Sequence, residues 1–240
     1  MLKKSLWIAS LAIIVIISVI IYQNYDSKPS PFPAKNQLVS RINHLFPEAA
    51  VNKIQDTVFL DEKNVFVPFI SKGSKYGTSF WVWEKRKWEL ESVNTGGEPQ
   101  LLKLHLDEPE TFYFSWNIDP NSKLSYGKFY LLRDRSFLVT DGKQHYFPKI
   151  QIEKKVSFDT KPYGVLQIPK EWVTVLNSFM EQDSAKQSNY FFKNEQINFG
   201  WIPFNSKNKA ISPHDLNGNS FSNYGEHEEM VRFLGEEEIE

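Results

Sequence analysis

Residues 125–158 read SYGKFYLLRDRSFLVTDGKQHYFPKIQIEKKVSF, and the reading of this stretch decides the fold. Ser125–Leu132 is an apolar and aromatic run that opens after the turn residues Asp119-Pro120-Asn121. Ser136–Thr140 and Lys143–Phe147 flank Asp141-Gly142. Both residues of that pair tolerate positive φ, which makes it the strongest short hairpin signal in the chain. Ile150, Ile152, Val156 and Phe158 then alternate with Gln151, Glu153, Lys155 and Ser157, as in a strand with one wet face.

The same pattern continues outward. In Thr111–Asn117, Phe112, Phe114 and Trp116 alternate with Tyr113, Ser115 and Asn117, and Tyr163–Ile168 reads as another short strand. Turn signals recur about every ten residues, which predicts an immunoglobulin-like antiparallel β-sandwich over residues 101–205. Pro169–Met180 is expected to be a peripheral helix, with Pro169 at its start and Trp172, Val175, Leu176 and Phe179 as its apolar stripe. A polar loop over Glu181–Ser188 precedes two more strand-like runs, Tyr190–Phe192 and Gln196–Phe204. In residues 206–240 a polar loop leads to a helix over Glu226–Leu234, stopped by Gly235, and to an acidic tail.

Toward the amino end, residues 36–100 form a small α+β module. Leu38, Ile42, Leu45 and Phe46 have helical spacing, and helix is expected to resume from Glu48 to Ile54 after Pro47. Thr57–Leu60, Val65–Ile70, Thr78–Trp83 and Trp88–Val93 then make a four-stranded meander. Pro29, Pro31 and Pro33 mark residues 23–35 as an extended stalk.

Residues 6–22 carry no charge and consist largely of Ile, Val and Leu. As a helix they span roughly 25 Å, the short end of what crosses a bilayer. Bulky Ile20, Ile21 and Tyr22 leave no small-residue cleavage site, so an uncleaved signal anchor is expected. Lys3 and Lys4 place residues 1–5 in the cytoplasm and everything beyond the span outside. The fold class expected is thus mostly β in an α+β arrangement: a transmembrane helix, a helix-plus-meander module, then the sandwich with one or two peripheral helices.

Composition narrows the setting. The chain has no Cys, which excludes disulfides, thiol catalysis and thiolate metal sites. None of its Asn residues begins an N-x-Ser/Thr acceptor, so a bacterial envelope fits better than a eukaryotic lumen. The net charge of −1 has no basic patch of the kind nucleic acids need.

Candidate sites are sparse. Trp81, Trp83 and Trp88 share a predicted hairpin beside Lys85 and Arg86, and aromatic pairs on an exposed sheet can stack sugar rings. Alternation, however, puts Trp81 and Trp83 on one face and Phe80 and Val82 on the other, so at least one pair is core. Asp215, Asn217, Asn219, Phe221 and Glu226 occupy positions one, three, five, seven and twelve of an EF-hand-like Ca²⁺ loop. Ser220 stands where that loop wants Gly, and only two carboxylates are present. The histidines His44, His105, His145, His214 and His227 have no metal-ligand spacing, and His227-Glu228-Glu229 reads as a solvated helix start. Ser125-Tyr126-Gly127-Lys128 matches S-x-x-K without its companion elements. Asp107, Glu108 and Glu110 form a charged loop. The function expected is a non-enzymatic, membrane-tethered extracytoplasmic module that binds an envelope protein or a wall polymer. The alternatives are an envelope hydrolase whose carboxylates converge only in the fold and a low-affinity calcium-binding domain.

Overall fold

The computed structural model describes residues 28–140, 143–185, 197–212 and 221–239, together with positions 7, 11, 13–15 and 18. The chain is mostly β, with few helices and several antiparallel sheets. Most of the expected anchor, the Asp141-Gly142 turn, Tyr190–Phe192 and the loop 213–220 lie outside the described residues. Trp7, Leu11, Ile13, Ile14, Val15 and Ser18 are helical and exposed, and Ser18 Oγ donates to Ile14 O at 2.8 Å. Among the described residues no helix is long and apolar enough to cross a membrane.

Helix α1 (Lys35–Leu45) buries Leu38 and Ile42. Ala34 N–H donates to Gln37 Oε1 at its start. The expected helix over Glu48–Ile54 does not form. Ala50 takes a left-handed backbone, φ 44°, and Asn43 bonds both the N–H and the carbonyl of Val51. Those two bonds turn the chain into strand β1 (Val51–Ile54), where the long-range pairing outweighs local helix propensity.

Sheet I has β1, β2 (Val58–Phe59), β3 (Asn64–Ser71), β4 (Tyr76–Glu84) and β5 (Lys87–Asn94), in the order β1-β3-β4-β5 with β2 on β3. Sheet II has β6 (Gln100–Lys103), β7 (Phe112–Asn117) and, after the next four strands of the chain, β12 (Tyr163–Gln167). Sheet III is built on β8 (Leu124–Arg133), β11 (Ile150–Ser157) and β13 (Asn198–Asn205). Among the described residues, strands β9 (Ser136–Thr140) and β10 (Lys143–Phe147) pair only with each other, as an arm outside the three sheets. Helix α2 (Lys170–Ala185) runs past the expected end at Met180 and buries Trp172 and Leu176.

The sheets stack because their strands are apolar on both faces. One face of sheet I carries Val65, Val67, Phe69, Trp81 and Trp83 against Leu38 and Ile42 of α1. The opposite face carries Phe66 and Phe80 against Leu102, Leu104, Tyr113 and Val165 of sheet II and its flanks. The far side of sheet II, with Phe112, Phe114 and Trp116, meets Phe129, Leu131, Phe199 and Trp201 of sheet III. Each large side chain buried this way contributes roughly 2–3 kcal/mol. The segment 28–34 is not a free spacer: Phe32 packs on Trp88 and Trp81, and Trp88 Nε1 donates to Ser30 O at 2.9 Å.

The expected helix over Glu226–Leu234 is also absent. Two short strands run there instead, β15 (Glu228–Met230) and β16 (Arg232–Phe233), and β14 (Ser222–Asn223) comes just before them. β14 extends sheet I beside β5, β15 extends sheet II beside β6, and β16 extends sheet III beside β13. Phe221, Val231 and Leu234 of this strap enter three different core clusters.

Candidate functional site

The strap brings together the main group of polar side chains buried between sheets I and II. Glu228 pairs with Leu102, and Met230 pairs with Gln100, so Glu228 and Gln100 share the face of sheet II that looks at sheet I. Ser115 lies directly opposite Gln100 and joins them. From sheet I, Phe80 pairs with Ser92, which therefore points the same way as Phe80, into the layer. The register slips between Phe80 and Trp81, whose partners are Ser92 and Leu90, so Glu91 is the extra residue of a bulge. A bulge re-aims its side chain: the Glu91 carboxylate accepts the N–H of Glu226 at 3.0 Å and closes over Gly225.

The electrostatics are one-sided. Glu228 is only 9% exposed, and burial raises its carboxyl to about 7, with the neighbouring Glu91 charge pushing the same way. The Ser92 hydroxyl opposes that shift without closing a bond of good geometry, since Ser92 Oγ and Glu228 Oε2 both lack a partner. The side-chain oxygens Gln100 Oε1 and Ser115 Oγ are unpartnered as well. Burial raises Glu98, and it raises the Tyr224 hydroxyl, which both Glu228 and Glu98 also push upward. Lys103, a cation on β6, is held by Glu229 at 2.5 Å, and Lys103 O is bonded to His227 Nδ1. A carboxyl so placed can hold a proton at neutral pH.

The residues singled out in the sequence fare differently. Trp81, Trp83 and Trp88 are buried, and Trp81 sits under Arg41 at 5.0 Å, so they are not a sugar-stacking surface. Both faces of that hairpin are core because sheet I is covered on both sides. Asp215, Asn217 and Asn219 lie outside the described residues. Phe221 and Glu226 do not take EF-hand roles: Phe221 O accepts from Thr95 N and Thr95 Oγ1, and strands replace the helix that should leave the loop. Among the described residues no group of three or more His, Asp or Glu is placed to hold a metal ion. Ser125 bonds Asp159 from a strand, and Asp107, Glu108 and Glu110 are exposed around a short 3-10 turn.

The sequence reading missed Glu228 because Glu226–Glu229 looks like a solvated helix start, and burial depends on β6, more than a hundred residues earlier. It missed the exposed arm for the opposite reason. The hairpin was legible, but nothing local says that Phe137, Val139 and Tyr146 stay 73%, 53% and 69% exposed. Phe137 pairs with Tyr146, and Val139 lies two residues on, so the three share one face. At the arm's base Arg133 donates to Pro148 O and lies over Phe147 and Phe179.

No family model matches the chain, and no match was found among curated proteins or among solved structures.

Proposed function

We propose that this protein is a membrane-tethered extracytoplasmic binding module of a bacterial envelope, and that its partner is another envelope protein. The uncharged segment 6–22 serves as a transmembrane anchor with the amino end in the cytoplasm. Exposed Trp7, Leu11, Ile13, Ile14 and Val15 support that role, as does the Ser18 hydroxyl folded back onto Ile14 O, which hides a polar group from lipid. The packed sheets II and III act as an immunoglobulin-like scaffold.

The observation that carries the reading is the arm β9–β10. It stands outside the sheets and keeps Phe137, Val139 and Tyr146 exposed on one face. Aromatic side chains with an apolar neighbour and an exposed Arg135 close by match the composition of protein interface centres. A tether raises the effective concentration of such a surface at the membrane, so weak contacts suffice. The test is crosslinking of the intact protein in cells. Phe137→Asp with Tyr146→Asp should abolish a specific crosslinked product while leaving the melting temperature within about 2 °C of wild type, because exposed positions contribute little to stability. An unchanged crosslinking pattern would reject the arm as the binding surface. Protease added to intact cells should digest the β portion, and its full protection would reject the topology.

A further inference from the structure

We infer that residues 221–239 form a proton-controlled clasp: the strap closes sheets I, II and III while Glu228 carries a proton and loosens when that proton leaves. One segment supplies an edge strand to each of the three sheets, and its middle strand inserts a carboxyl between two of them. The pairings are short, two or three residues per sheet, so no single ladder holds the strap. A buried carboxylate with an unpartnered oxygen disfavours the closed state, whereas the neutral acid does not.

The groups that face Glu228 come from every element around it. From β5 they are Ser92 and the carboxylate Glu91, and from the turn ahead of β15 the Tyr224 hydroxyl. From β6 comes Gln100, and from the loop before it Glu98, whose charge reaches Tyr224. Lys103, on β6, is engaged by Glu229, and His227 bonds the Lys103 carbonyl through Nδ1. Negative charge is thus gathered around Glu228 with no ion pair formed to it among the described residues.

The sign follows from linkage. In the closed strap Glu228 titrates at about 7, against 4.5 for a free carboxyl. Closure is therefore unaffected below pH 4.5, weakens as pH rises toward 7, and is fully weakened above it. The difference corresponds to a change of about 300-fold in the opening equilibrium. Opening uncovers the outer edges of β5, β6 and β13 together.

The test is hydrogen exchange on the full chain in detergent, expressed as protection factors so that intrinsic rates cancel. Strap amides such as that of Leu234, which donates to Trp201 O, should lose at least about 30-fold of protection between pH 5 and pH 8. Amides between β8 and β11 should hold theirs. Glu228→Gln should keep strap protection high and flat across this range. Equal loss in Glu228→Gln and wild type, or flat protection in wild type, would overturn the inference. If Glu228→Gln fails to fold, Glu91→Gln decides: it should shrink the loss and move its midpoint to lower pH, since removing that like charge lets the closed strap hold an ionised Glu228 more easily. An unmoved midpoint would count against the clasp.

Discussion

Asn117 shows how much can rest on one amide. Its Nδ2 lies 2.7 Å from Gln55 Oε1, 2.9 Å from Phe69 O and 2.7 Å from Gly77 O, joining the end of β7 to sheet I and its neighbouring loop. Beside it Gly97 has φ +69°, and a Cβ there would overlap the carbonyl oxygens of Asn117 and Tyr76. Asn117→Asp would replace a donor by a carboxylate facing three acceptors. It should destabilise the protein by about 3 kcal/mol or more, read as a shift of the urea midpoint. Gly97→Ala should lose about 2 kcal/mol or more, combining a left-handed backbone with a clash. Neither role is legible in the sequence. Asn117 reads there as the polar side of a strand, because what it touches lies between 40 and 62 residues away.

At the scale of elements, local chemistry was a good guide wherever the turn decided the structure. The strand pair β9–β10 was legible in the hairpin pattern of residues 136–147, β11 in an alternation broken at Lys154, and β3, β4 and β5 in the meander pattern. The β4–β5 turn departs from that logic. Lys85 and Arg86 occupy left-handed positions, φ 50° and 63°, where Asn-Gly would be comfortable. Arg86→Gly should therefore raise stability by about 1 kcal/mol in urea melts. Length and pairing were less legible. Val231 and Leu234 have helical spacing with Glu226 and His227 ahead of them, yet the segment is extended because β6 and β13 offer it open edges. No window of nearby residues carries that information.

For the whole molecule, the layered stack was legible in part. The alternation of Phe112, Phe114 and Trp116 announced a sandwich, and sheets II and III supply it. The sequence reading placed a boundary near residue 100, but Phe66 and Phe80 of sheet I pack on Leu102 and Leu104 across that boundary. The apolar residues on both faces of β4 are the physical sign that its sheet lies between layers, and they were visible as the Trp81-Trp83 and Phe80-Val82 pairs. Coupling through this layer predicts one cooperative transition. Urea unfolding followed by tryptophan fluorescence and by far-UV circular dichroism should give coincident curves. Two separate transitions would mean that residues 36–100 fold as an independent unit.

Polypeptides are made from the amino end, and here the piece that unites the three β layers is translated after every strand it completes. Until residues 221–239 emerge, a nascent copy carries three unfinished edges at once. Its final locking is thus a late event in biogenesis, and any chaperone shielding those edges has to let go before that step.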